Sequence, residues 1–216
     1  MKKVYKLCLF DLDGVIIDSK KNMERSWEAI QAVFDIDIPF SKYFQFIGRP
    51  FYDIMMLLDL GTRAKSIKKV YDVSSAERLD LINAYEGFPE TIRGIKQKGI
   101  KIGIVTSKDE ERTLAIVKKL NILFDVIECP NDQYRGKPHP DPLLRAILKC
   151  KCDPSETLYI GDMEVDYESA KRAGVDYLHA DWGYGDYAND MNRVFHPNEI
   201  QMIFEDENIA DDLKSD

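Results

Sequence analysis

Between Gly87 and Leu178 the chain alternates short apolar runs with amphipathic segments, and this alternation restricts the fold more than any other feature of its 216 residues. The apolar runs at 100–105, 124–127, 158–160 and 175–178 have strand length and are rich in Ile, Val and Leu. The segments between them carry helix signals. Residues 89–98 end at Gly99, and 108–120 place Leu114, Val117 and Leu120 on one face. Residues 140–149 have proline in the first turn, and 164–173 end at Gly174. Strands separated by helices cannot form hairpins. Each needs a crossover, and repeated crossovers build a parallel, doubly wound α/β sheet covered on both faces. Residues 4–10 form one more apolar run. It stops at an acidic cluster and reads as a central strand.

The rhythm is different over 18–83, where no strand pattern is visible. Met23, Trp27, Ile30 and Phe34 share one face of a helix beginning near Ser19, with Trp27 read as core. Pro39 and Gly48-Arg49-Pro50 punctuate, and 51–60 reads as a helix closed by Gly61. Ser74, Ser75, Ala76 and Glu77 have the form of a capping box that opens a helix toward Tyr85. A stretch of roughly 65 residues is too long for a loop. The expectation is therefore a Rossmann-like core of residues 1–17 plus 84–216, with an inserted helical cap at 18–83. The acidic tail after Glu205 is expected to fray.

Charge and cysteine content narrow the functions. Net charge is −8, and no block of five or six basic residues occurs, which disfavours nucleic acid and anionic membranes as partners. No run approaches the length of a membrane span, and the apolar start breaks at Asp11 without a cleavage-site pattern, so the chain reads as cytoplasmic. Cys8 lies in a strand-like run and reads as a buried thiol; Cys150 and Cys152 form a lone C-x-C. Together with Cys129 they suit a reducing compartment.

In open α/β sheets, ligands bind beyond the carboxyl ends of the strands. The first strand is followed by Asp11-Leu12-Asp13-Gly14, and the second by Thr106-Ser107-Lys108. Gly136-Lys137-Pro138 lies beyond the third, and Gly161-Asp162 follows the fourth, with Asp166 four residues on. Several carboxylates converging on one place repel each other and need a cation. All-oxygen ligands suit a hard ion such as Mg²⁺, and no His or Cys cluster favours zinc. Lys137 supplies a point charge suited to phosphate; the Thr106 hydroxyl and the amides of the next helix can hold phosphate oxygens. Ser107 either joins them or caps that helix with Glu110. This donor set describes a phosphoryl-transfer site. A carboxylate nucleophile is already ionised at neutral pH and needs no activating base.

Four segments in chain order, DLDGVIIDS, VTSK, GKPHPDP and GDMEVD, resemble the motifs of the haloacid dehalogenase-like superfamily of hydrolases. The likeness is to the phosphoglycolate phosphatase-like branch with a helical cap. It extends to WGYG around Gly183, Tyr184 and Gly185 and to the later HPNEI, and is weakest in the cap. The resemblance implies that Asp11 is nucleophile and metal ligand. It makes Asp13 the general acid/base and a metal ligand through its backbone carbonyl. Thr106 and Lys137 would bind phosphate, and Asp162 would bind Mg²⁺. Asp166 would orient Lys137 or a metal-bound water. The implied partner is a small phosphorylated metabolite, such as phosphoglycolate or a sugar phosphate.

Rival functions are weighed on the same residues. Mutases of the superfamily usually carry a histidine early in the cap, and Asp18 to Met23 contains none. A phosphonatase needs a cap lysine; Lys42, Lys65, Lys68 and Lys69 are available without distinguishing context. A non-catalytic binding protein on a decayed site should have lost a charged member, and none is lost. His139, between two prolines, reads as structural or solvated, Lys108 is undecided, and Arg49 in Gly-Arg-Pro is the candidate substrate contact of the cap.

Overall fold

Six parallel strands form the core of the computed structural model, which describes residues 3–186 and 192–204. In chain order they are β1 (Leu7–Phe10), β4 (Lys101–Val105), β5 (Val126–Glu128), β6 (Thr157–Gly161), β7 (Asp176–Ala180) and β8 (Arg193–Val194). Their order across the sheet is β5-β4-β1-β6-β7-β8. Every pairing is parallel. The sheet is doubly wound, and β1 lies at the centre, where the winding reverses.

Period-two alternation divides the apolar side chains between two cores. Cys8, Phe10, Ile102, Ile104, Leu158 and Ile160 face one side and pack on Phe88, Ile92 and Ile95 of α5 (Phe88–Gln97) and Ile116 of α6 (Glu110–Leu120). Leu7, Leu9, Val105 and Tyr159 face the other side. They pack on α7 (Asp141–Cys150) through Leu143, Ala146 and Ile147, and on α8 (Glu164–Ala173) through Ala170 and Ala173. All four residues of β1 are fully buried, which is why that run is apolar without alternation. Each such side chain contributes about 1.5–3 kcal/mol by leaving water. Cys8 is buried as expected; burial raises its thiol pKa. The four cysteines are all free.

Residues between β2 (Ile17–Asp18) and β3 (Asn83–Ala84) form helices α1 (Lys20–Phe34), α2 (Phe40–Phe44), α3 (Phe51–Leu57) and α4 (Ala64–Ala76). They have a core of their own: Trp27, Ile30, Tyr43, Phe51, Ile54, Ile67 and Tyr71. Trp27 stacks on Tyr43 at 4.5 Å and donates its indole N–H to the Ile38 carbonyl at 2.7 Å. β2 and β3 pair antiparallel, Ile17 with Ala84 and Asp18 with Asn83. This ribbon ties the two chain crossings together; two residues are too few to show a period.

Several local expectations are corrected. Ser74 and Ser75 do not open a helix: they belong to the last turns of α4. They are buried because α4 packs on α1, where Asn22 donates to the Ser75 carbonyl and the Ser75 hydroxyl donates to Asn22 Oδ1. The capping-box pattern is satisfied by tertiary partners. In α6 the buried face is Thr113 and Ile116, and Leu114 is 48% exposed. The helix starts two residues later than expected, at Glu110, behind the cap Asp109, whose side chain accepts from the Arg112 amide. HPNEI leads into α9 (Glu199–Met202). The expected fraying tail after Glu205 lies outside the described residues. Among the described residues no helix is long and apolar enough to cross a membrane.

Candidate active site

The chain turns away from β1 in a tight loop. The Asp11 amide donates to the Ile160 carbonyl and so continues the β1–β6 ladder for one more residue. Ile16 and Ile17 then donate to the Leu12 carbonyl, and the Gly14 amide donates to the Ile17 carbonyl. This brings Asp11 and Asp13 to one cavity, lined also by Thr106 and Ser107 after β4 and by Arg49 of the inserted segment.

Lys137 arrives from the loop before α7 and is 1% exposed. Its Nζ donates to Asp11 Oδ1 at 2.8 Å and Asp166 Oδ1 at 2.7 Å, with Tyr159 OH at 3.2 Å. Asp166 is fully buried in the first turn of α8. It also accepts from Tyr159 OH at 2.8 Å and from the Met163 amide at 3.1 Å. One of its oxygens therefore caps α8 while the other aims the lysine.

Asp162 follows β6 and is fully buried. Its Oδ2 accepts from the Tyr184 amide at 2.7 Å, and its Oδ1 has no hydrogen-bond partner. Glycines make room for it. A Cβ on Gly14 would stand 2.1 Å from Asp162 Oδ2, and Gly14 has φ +88°, a region that suits glycine. A Cβ on Gly183 would stand 2.2 Å from the Asp162 Cβ.

Asp11, Asp162 and Asp166 each offer a carboxylate oxygen, these atoms lying within 4.8 Å of one another. Burial, offset in part by Lys137 and reinforced by Asp166, pushes Asp11 up to about 7. Burial, with Asp166 and Asp11 beside it, holds Asp162 well above the usual carboxylate range. Lys137 is raised, because Asp11 and Asp166 outweigh the burial that opposes its charge. One lysine does not balance three buried carboxylates. The unpartnered Asp162 oxygen and the all-oxygen donor set both fit a hard divalent cation.

Asp13 is set apart. It accepts from the Ser19 hydroxyl, and its Oδ2 pairs with Lys108 Nζ at 3.2 Å. Burial lowers the Lys108 pKa against the pull of Asp13. Thr106 is buried, and its Oγ1 accepts from the Lys108 amide. Ser107 does not cap α6: its hydroxyl donates 2.6 Å to the Gly48 carbonyl, joining the strand-end loop to the inserted segment. His139 sits in backbone contacts, accepting from Ser169 and donating to Gly136.

Among the polar residues that line the cavity, Tyr43, Tyr71 and Arg112 are the ones that local sequence does not mark. Tyr43 and Tyr71 read as helix-core aromatics, and Arg112 as a helix surface charge; no local signal distinguishes them.

Acids, a hydroxyl and a lysine at the carboxyl ends of a doubly wound parallel sheet define a hydrolytic enzyme with its site at the strand ends. The chain belongs to the haloacid dehalogenase-like hydrolase family, whose model matches residues 8–180. It is an enzyme, a hydrolase of the phosphatase type. The pyrophosphatase PpaX of Bacillus mycoides is 29% identical over 177 residues, covering 81% of this chain and 82% of that protein. A Lactobacillus plantarum structure provisionally described as a phosphoglycolate phosphatase superposes with TM-score 0.83 at 23% identity, covering 93% of this chain and 100% of that one. A haloacid dehalogenase-like hydrolase of Streptococcus pneumoniae superposes with TM-score 0.81 at 21% identity, over 95% of this chain and 100% of the other.

Proposed function

We propose that this phosphatase-type hydrolase removes the phosphoryl group from a small phosphorylated metabolite, with Asp11 as nucleophile and Mg²⁺ as cofactor. The observation that supports it most is Lys137 Nζ at 2.8 Å from Asp11 Oδ1, beside Asp162 with its unpartnered buried oxygen. Asp11, Asp162 and the Asp13 carbonyl would hold the ion. A bound Mg²⁺ would offset the repulsion between these carboxylates and a phosphate dianion.

Lys137 engages Asp11 Oδ1, leaving Oδ2 as the attacking oxygen. Its bond to phosphorus forms as the bond to the leaving oxygen breaks, and Asp13 gives that oxygen its proton. The Asp13 carboxylate then takes a proton from water as the water attacks phosphorus. Inorganic phosphate leaves and the Asp11 carboxylate is restored. Thr106 and Lys137 would hold phosphate oxygens, while Asp166 keeps Lys137 in place. Ser107, spent on Gly48, is better suited to contact between core and insert than to phosphate. We further take residues 18–83 as a cap that selects the leaving group, with Arg49 as one contact. None of Lys42, Lys65, Lys68 and Lys69 lines the cavity, which favours phosphatase over phosphonatase chemistry.

The test is phosphate release from p-nitrophenyl phosphate by wild type and Asp11→Asn. Turnover should require Mg²⁺, stop in excess EDTA, and vanish in the folded variant. Undiminished turnover by metal-stripped protein, or half of wild-type kcat in Asp11→Asn, would overturn the mechanism.

A further inference from the structure

The cavity is lined by three cations, Arg49, Lys108 and Arg112, against two carboxylates, Asp11 and Asp13. Both acids are engaged, Asp11 by Lys137 at 2.8 Å and Asp13 by Lys108 at 3.2 Å. Arg49 has no ion pair among the described residues.

Arg112 belongs to α6 of the sheet domain, not to the insert, and its side chain is 11% exposed. Its Nε and Nη2 are both 2.6 Å from Asp109 Oδ2, and Nε is 3.4 Å from Asp72 Oδ1 of α4. Lys68 of α4 completes the cluster, 2.6 Å from Asp72 and 3.2 Å from Asp109. Two cations and two anions thus balance. The guanidinium also lies over the Tyr71 ring, 5.0 Å from its centroid. Asp109 and Asp72 lie outside the cavity lining, and the Nη1 edge is the one no carboxylate takes. A guanidinium carries five donors in a rigid fork, and one so fixed recognises a carboxylate or phosphate with little loss of freedom. Away from Thr106 and Ser107 the rest of the wall is apolar or phenolic, with Met23, Tyr43, Ile47, Phe51, Ile54 and Tyr71. A neutral leaving group would leave Arg49 facing that wall without a counter-charge. The room is small, about 40 Å³. An ordered water needs about 10–15 Å³, so the space is that of about three or four waters and a bulky leaving group does not fit.

We propose that Arg112, together with Arg49, is a specificity-determining residue that selects substrates whose leaving group carries a second negative charge on a short chain. This rests on the phosphatase reading above. If Arg112 serves only to latch α4 to α6, all substrates depend on it equally.

The experiment compares kcat and KM of the full chain with Mg²⁺ on 2-phosphoglycolate, inorganic pyrophosphate, ethyl phosphate and ethanolamine phosphate. Wild type should prefer the first two to ethyl phosphate by about tenfold or more in kcat/KM, with ethanolamine phosphate last. Arg112→Gln should lose roughly 10- to 100-fold more on 2-phosphoglycolate than on ethyl phosphate, mostly through KM, the scale of a charge-assisted contact. Arg112→Lys should recover part of that difference. Equal losses on both substrates would overturn the proposal. So would a wild type that handles ethyl phosphate as well as 2-phosphoglycolate and pyrophosphate; that comparison decides even if Arg112→Gln fails to fold. Absence of Mg²⁺-dependent phosphate release from all four substrates is a separate result: it removes the phosphatase reading and this proposal with it.

Discussion

Gly183→Ala tests whether the loop after β7 is a wall of the active site. The added methyl would sit 2.2 Å from the Asp162 Cβ and 2.6 Å from its Oδ2. Carbon atoms in contact prefer about 3.5–4.0 Å, so something must move by more than about 1 Å. Asp162 is fully buried and cannot swing toward Gly14, where its Oδ2 already fills the place of a side chain. The loop must therefore lift, taking the Tyr184 amide from Asp162 Oδ2, which it now meets at 2.7 Å. Overpacking of this kind costs about 1–3 kcal/mol. A lost ordinary hydrogen bond adds about 0.5–1.5 kcal/mol. For a domain of this size each kcal/mol lowers Tm by about 2–4 °C, so a fall of roughly 3–18 °C is expected. Asp162 misplaced by about 1 Å should also cut kcat/KM by about 100-fold. Thermal unfolding without metal, Mg²⁺ titration by calorimetry and p-nitrophenyl phosphate turnover measure the three effects. A variant with wild-type Tm and wild-type Mg²⁺ affinity would refute the view that this loop packs on Asp162.

Asp13→Asn should slow turnover by roughly 10²–10⁴-fold, and more for ethyl phosphate than for p-nitrophenyl phosphate, whose leaving group needs less protonation; equal losses would deny Asp13 its acid role. In metal-free protein, burial raises Asp11 to about 7, far above the unfolded value of about 3.9. The folded state then holds its proton more tightly than the unfolded state, so stability is full at low pH and declines as pH rises from about 4 to 7. The urea midpoint in EDTA should fall between pH 5 and 7.5, and less steeply in Asp11→Asn. Asp109, which Arg112 holds below the usual carboxylate range despite burial, titrates below that window. A metal-free midpoint that climbs with pH would contradict the assigned burial of Asp11.

Much of the architecture is written in local pattern. Leu7 to Phe10, 100–105 and 158–160 announce buried strands because a central parallel strand is apolar on both faces, and the helices between them carry their own stop signals at Gly99 and Gly174. The convergence of Asp11, Thr106, Lys137 and Asp162 could also be anticipated, since parallel strands put all their carboxyl ends on one side of the sheet. Contacts between elements could not. Ser74 and Ser75 look like a helix start until Asn22 of another helix uses them, and Ser107 looks like a cap until Gly48 takes its hydroxyl. Strand β8, two residues long, shows no period and forms only by pairing with β7. Arg112 reads as a surface charge at a helix start; what buries it and holds it with Asp109, Asp72 and Tyr71 is α4, some 40 residues earlier in the chain. Which groups meet at the strand ends follows from strand pattern and chain order. What surrounds them does not, because a side chain's partners across elements depend on the packing of distant segments, and no local periodicity encodes that.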